Sequence, residues 1–243
     1  MKQKTWVTID LEYDFETDQT RSVHEVVPRL LDLFDKLDIR ATFFVLGEIA
    51  EKYPKLIKKI GKKHDIGSHG YTHTRLDKLS DDELWFQVSK SKKVIEKLGV
   101  KCKGFRAPYF ITHPKLFYML EKAGYEYDSS LQCSFFPGRY NNLFMKERKF
   151  EIKTVKNEKK KLIEYPVPNW TMFKFPPAGF SNYRLFYPIS KLFRMPYMIY
   201  LHPCEFLDNS QSGVKSFFVK MVYKRNKGDK AWSLFKDLVR KIK

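Results

Sequence analysis

A parallel α/β sheet, open or closed into a barrel, is the fold class this sequence predicts, on three observations. Short apolar runs rich in β-branched and aromatic residues alternate with amphipathic helical stretches at least four times. Polar and charged residues stand where those apolar runs end. No internal repeat or low-complexity tract interrupts the alternation. In such folds the active residues gather on loops at the C-terminal ends of strands. Asp10, His69, Arg106 and Asp128 all fall at such ends.

The first strand is Thr5-Trp6-Val7-Thr8-Ile9, ending at the acidic cluster Asp10, Glu12 and Asp14. Val26, Val27, Leu30, Leu31, Phe34 and Leu37 recur at helical spacing and lead to a second strand, Ala41 to Leu46. Pro54 to Ile60 is again amphipathic and passes through Gly61 to a short strand, His64 to His69. Ser80 and Glu83 form the pattern of a capping box, which opens a helix running to about Leu98 before Gly99. A strand at Gly104-Phe105-Arg106 follows, then a helix from Pro114 to Ala123 stopped by Gly124, then a strand reaching Asp128-Ser129-Ser130. The stretch from Phe135 to Phe180 is less regular. A hairpin is predicted there, pairing Phe150 to Thr154 with Lys161 to Tyr165, as elaboration over the sheet rather than a separate domain. Tyr197 to Leu201 is a strand running into His202, and Ala231 to Ile242 is a closing amphipathic helix.

With 243 residues, 43% of them hydrophobic, one domain spanning residues 1–243 is expected, ending in a basic helical segment at about 213–243. No run of about 18 apolar residues occurs. The start, Met1-Lys2-Gln3-Lys4-Thr5-Trp6, has no long apolar stretch of the secretory kind, so a cytoplasmic chain is expected. Cys102, Cys133 and Cys204 are odd in number and widely separated, and are read as reduced thiols. The net charge of +18 points to an acidic partner: a phospholipid surface, a nucleic acid or an anionic glycan. The charge is dense in Lys146 to Lys161 and in Lys215 to Lys243. No helix-turn-helix, zinc-finger spacing or RNA-binding aromatic motif accompanies it, so no specific nucleic acid is expected. The stretch from Tyr183 to Arg194 has the composition of an interfacial helix, kinked at Pro188, and a core helix of the outer ring fits it equally.

His69-Gly70-Tyr71-Thr72-His73 puts two imidazoles four residues apart after a strand, which is metal-ligand spacing. Alone, such spacing arises often by chance. Asp10 and Glu12 add weight, because alternation along an extended segment puts both carboxylates on one side, one able to ligate a metal while the other acts as base. Arg106 emerges from an apolar strand and can hold a carboxylate ionised. His202 closes another strand before Pro203, a position suited to an imidazole acid facing the same mouth.

In order, Thr8-Ile9-Asp10, His69 to His73, Gly104-Phe105-Arg106-Ala107-Pro108-Tyr109, Asp128-Ser129-Ser130 and Leu201-His202-Pro203 resemble the successive motifs of the polysaccharide deacetylase family, carbohydrate esterase family 4. The resemblance implies a distorted (β/α) barrel. It implies Asp10 as catalytic base, His69 and His73 as metal histidines, Arg106 as the residue orienting the base and His202 as general acid. It further implies an oxyanion donor at the backbone N–H near Tyr109. The family's adjacent aspartates are replaced here by acid-x-acid, so the metal carboxylate is expected at Glu12, with Asp14 as competitor. Asp128 is expected to hold His202. The tryptophan common in the family's fourth motif is absent, Ser129 and Ser130 standing near its place, which makes Leu201 and Trp170 candidates for the acetyl pocket.

The reaction so implied is hydrolysis of an N-acetyl amide on a sugar or glycan precursor, assisted by one divalent ion, zinc first and iron, cobalt or nickel after it. The basic tail adds the expectation of peripheral contact with an anionic membrane. Two other readings compete: a metal amidohydrolase of a small non-sugar amide, and a non-catalytic module holding an anionic glycan. Oligomeric state does not follow from the sequence.

Overall fold

The computed structural model describes residues 5–15, 17–136, 140–152, 161–208 and 224–242. It begins with β1 (Trp6–Leu11), α1 (Arg21–Glu25), α2 (Val27–Leu37), β2 (Thr42–Val45), α3 (Gly47–Lys52), α4 (Pro54–Ile60) and β3 (Asp65–Ser68). Then come α5 (Asp81–Lys97), β4 (Cys102–Phe105), α6 (Leu116–Lys122) and β5 (Tyr127–Asp128). A small pair, β6 (Phe135–Phe136) and β7 (Tyr140–Asn141), precedes β8 (Phe150–Ile152) and β9 (Leu162–Glu164). The chain closes with α7 (Phe180–Leu185), β10 (Met198–Leu201) and α8 (Gly228–Arg240).

The main sheet runs in the order β10-β1-β2-β3-β4-β5-β9-β8 and is parallel except where β8 turns back on β9. It curls strongly. The ring of Trp6 on β1 lies 5.8 Å from that of Tyr127 on β5, although three strands intervene. The edges β10 and β8 do not pair among the described residues, so the predicted barrel is an open, distorted one.

Alternation along the strands separates two faces. Val7, Ile9 and Leu11 of β1, Phe43 and Val45 of β2, and Ile199 and Leu201 of β10 enter the large core beneath the helices. There they meet Val27, Leu30, Leu31 and Phe34 of α2, and Phe235 and Leu238 of α8. Trp6, Met198 and Tyr200 point the other way, into the concave side, with Phe110, Tyr165 and Val167. The same alternation sends Thr8 and Asp10 to the concave side, and this delivers polar side chains to the mouth.

The predicted elements recur with shifted ends. The capping box of α5 forms as read: Ser80 Oγ accepts from Glu83 N while Glu83 accepts from Ser80 N at 2.8 Å. The hairpin is β8 with β9, and its predicted Lys153 and Thr154 lie outside the described residues. So do residues 213–223 of the basic segment. The stretch from Tyr183 to Arg194 is not one interfacial helix: α7 ends at Leu185, and a separate 3-10 turn covers Ile189–Leu192.

Candidate metal and acid-base site

Glu12 follows β1, His69 follows β3, and the loop after His69 turns back so that His73 faces both. Gly70 permits the reversal with a φ of +82°, a region that residues with a Cβ rarely adopt. Gln87 on α5 fastens the loop, its Oε1 accepting from Tyr71 N and Thr72 N and its Nε2 donating to Thr72 Oγ1, each at 2.9 Å. Glu12, His69 and His73 each offer one ligand atom, and these atoms lie within 4.8 Å of one another.

Three acceptors thus converge. The carbonyl of Arg106 can only accept, so His69 donates from Nδ1 at 2.8 Å and is left with a lone pair on Nε2. That Nε2 faces Glu12 Oε2 at 3.3 Å, and His73 Nε2 approaches the same oxygen at 2.7 Å. Glu12 Oε2 is buried and accepts no hydrogen bond among the described residues. Burial alone would raise the Glu12 pKa, but His73 and His202 hold it well below its ordinary value, so the carboxylate is ionised. A buried carboxylate with two imidazole nitrogens turned toward it is a ligand set that a divalent cation satisfies.

Asp10 sits beside this cluster, 1% exposed. Its Oδ1 accepts from Arg106 Nη1 at 2.7 Å, while its Oδ2 is buried without a donor among the described residues. Arg106, fully buried, is locked on every side. It donates to Thr8 Oγ1, to the carbonyl of Ser129 and to Ser129 Oγ, and its guanidinium stacks 4.2 Å from the ring of Phe44. His202 turns Nε2 toward the same opening, 3.7 Å from Asp10 Oδ2 and 3.9 Å from Glu12 Oε1. Its other nitrogen faces Glu205 Oε1 at 3.4 Å, and Glu205 is in turn paired with the buried Arg184 at 3.0 Å. Burial lowers the His202 pKa, but Glu12, the hydrogen bond with Glu205 and Asp10 more than reverse this and push it up to about 9. The imidazole is therefore a proton donor at neutral pH.

Several sequence expectations change here. Asp14 does not join the ligands, because its two oxygens accept from Arg21 N and Ser22 N and cap α1. Asp128 does not hold His202. It accepts from Ser130 N and Ser130 Oγ, and Ser130 Oγ receives Ala107 N, so Asp128 braces the loop after Arg106. Beside it lies Glu164, whose pKa burial and the Asp128 charge raise well above the ordinary value. Burial raises the Asp128 pKa as well, so the pair gives up its protons less readily than two free carboxylic acids would. Leu201 is excluded from the site by register: it points under the helices, and Tyr200 takes the concave side, its ring 5.9 Å from that of His202. Trp170 is buried in the core, donating to Gly179 O and packing on Tyr183. Tyr109 does reach the mouth, its ring 4.3 Å from that of His73 and its φ at +59°. Glu205, Arg184, Gln87 and Glu164 escaped sequence reading, although Glu205, three residues from His202, was within its reach. All three cysteines are free, as expected.

A family model described as polysaccharide deacetylase matches residues 2–127. A peptidoglycan-N-acetylglucosamine deacetylase of Bacillus cereus is 40% identical over 87 residues, covering 35% of this chain and 32% of that protein. A peptidoglycan deacetylase of Helicobacter pylori is 29% identical over 165 residues, covering 63% of this chain and 56% of that one. The chain thus spans about a third and rather more than half of these two relatives. A solved structure from Mycobacterium smegmatis, named for polysaccharide deacetylases, superposes with a TM-score of 0.64 at 17% identity, over 100% of this chain and 85% of that one. That likeness shows the fold.

Proposed function

Since the chain belongs to the polysaccharide deacetylase family, we propose that it removes the acetyl group from an N-acetylated amino sugar in a glycan or glycan precursor, using a divalent metal. The observation that carries this reading is the meeting of the Glu12, His69 and His73 cluster with the Asp10–Arg106 pair and His202 at one mouth.

Glu12, His69 and His73 would hold the ion, zinc being the first expectation for two imidazoles and a carboxylate. A cation bound there supplies Lewis acidity to a water and to the amide carbonyl. Asp10 accepts the water's proton at Oδ2, which has no hydrogen-bond donor among the described residues, while Arg106 fixes Oδ1. The backbone N–H at Tyr109 serves the oxygen that gains charge as water adds to the amide carbon, and one such donor is worth about 3 kcal/mol. His202, protonated and held by Glu205, donates from Nε2 to the departing amine nitrogen. Acetate and the free amine are released. Tyr200 lines the approach in the place foreseen for Leu201.

The test is metal content of the purified protein beside His69→Ala and His73→Ala, with acetate release from an N-acetylglucosamine oligomer followed in parallel. Near-stoichiometric metal that both substitutions abolish, with metal-dependent acetate release, supports the reading. Metal without acetate release favours a small-amide substrate, and absence of metal overturns the site.

A further inference from the structure

The surface holds a group of large apolar side chains out in solvent. Phe144 is 99% exposed, Phe173 91%, Leu192 87% and Met172 83%. Single exposed apolar residues are ordinary, but a group of them rimmed by polar residues marks an interaction face. These four come from three segments, 142–149, 170–176 and 186–195, that the structure ties together. Glu147 is the knot, pairing with Lys174 at 3.7 Å and with Arg194. Lys174 Nζ also donates to the carbonyl of Met145 at 2.8 Å, and Arg194 Nη2 to that of Asn169 at 3.2 Å. Ring contacts add to these ties: Phe186 meets Phe175 and Phe193 at 6.2 Å each, and Phe175, itself half exposed, widens the apolar surface. Ion pairs, a hydrogen bond and ring contacts thus join the three segments that carry the exposed side chains.

Charge identifies what fits. The three segments carry Lys146, Arg148, Lys149, Lys174, Lys191 and Arg194 against the single carboxylate of Glu147. Protein–protein interface cores are depleted in Lys. Apposing two copies of this face would bring like charges together, on a chain whose net charge is +18. Apolar tips set among basic side chains match the layered chemistry of a bilayer surface, where phosphates lie above hydrocarbon. No helix among the described residues is long and apolar enough to cross a membrane.

We propose that this face docks peripherally on an anionic phospholipid bilayer, with Phe144, Phe173 and Leu192 entering the boundary between headgroups and acyl chains and the surrounding Lys and Arg meeting headgroup phosphates. The inference stands apart from the deacetylase reading, since it rests on no residue of the metal or acid-base cluster.

The experiment is co-sedimentation of the full chain at low salt with phosphatidylcholine vesicles, with and without phosphatidylglycerol. A triple variant, Phe144→Ser with Phe173→Ser and Leu192→Ser, removes the tips and keeps the charge. A double variant, Lys146→Glu with Lys191→Glu, keeps the tips and removes most of the face's net positive charge. The wild type is expected to bind phosphatidylglycerol vesicles at least about tenfold more tightly than neutral ones, and each variant to lose about tenfold of that affinity with an unchanged melting temperature. The proposal is overturned if the wild type does not bind, or if the triple variant binds as the wild type does. It is equally overturned if the wild type is a dimer that the triple variant dissolves, since the face then meets a second copy.

Discussion

Replacing Arg106 by methionine would leave Asp10, 1% exposed, with no hydrogen-bond donor among the described residues, because the 2.7 Å pair with Nη1 is the one its carboxylate receives there and the His202 imidazole stands off at 3.7 Å. Breaking one side of a buried pair typically costs about 3–5 kcal/mol, most of it the penalty of the partner left behind. The same change strips donors from Thr8 Oγ1, the Ser129 carbonyl and Ser129 Oγ. Thr8 and Ser129 keep hydrogen bonds of their own, to the carbonyls of Ile199 and Tyr165. The expected loss is therefore about 4 kcal/mol, dominated by Asp10. Urea unfolding of the metal-free protein at pH 7 measures it, and a cycle with Asp10→Asn identifies its source. In the Asp10→Asn variant the guanidinium has less to compensate, so the two changes should couple by roughly 2 kcal/mol or more. Additivity within about 0.5 kcal/mol, or an Arg106→Met cost below about 1 kcal/mol, would refute the assignment of Arg106 as the partner that compensates Asp10.

Three further outcomes follow from the same geometry. Glu12→Gln should abolish metal binding, whereas Asp14→Asn should leave metal content unchanged and cost about 1 kcal/mol through the weakened cap of α1; elemental analysis and a thermal melt separate the two. Glu205 raises the His202 pKa, and activity that needs the imidazolium is lost as pH rises through that pKa. Glu205→Gln should therefore move the alkaline limb of the kcat/KM profile to lower pH, and an unmoved limb would remove Glu205 from the mechanism. Glu164 has a folded-state pKa well above its ordinary 4.5, so the folded chain keeps a proton that the unfolded chain releases. Its contribution is full below pH 4.5 and declines as pH rises toward the folded-state value. Glu164→Gln keeps a neutral partner for Asp128 at every pH, so its stability should gain on the wild type between about pH 5 and 8 in urea titrations; a constant difference would refute a raised Glu164 pKa.

The sequence by itself determined the β/α rhythm, because alternation of apolar and polar residues at periods of two and 3.6 is a local property of the chain. It also placed Asp10, His69, His73, Arg106 and His202 at strand ends, and those residues do meet at one mouth. What it left open depended on register and on partners distant in the chain. Glu12 and Asp14 are equivalent carboxylates until the chain bends after β1, and only then does one face two imidazoles while the other caps a helix. Leu201 and Tyr200 differ by one position, and one position on a strand exchanges the concave face for the helical core. The support of His202 by Glu205 requires Arg184, 21 residues before Glu205 on α7, to hold that carboxylate in place. Asp128 was diverted from His202 for the same reason. Burial beside Glu164, 36 positions away on the neighbouring strand, and hydrogen bonds from Ser130 commit it to bracing the loop after Arg106. Tertiary packing decided these matters because burial selects among chemically similar groups by which partner each can reach, and reach is a property of the folded chain.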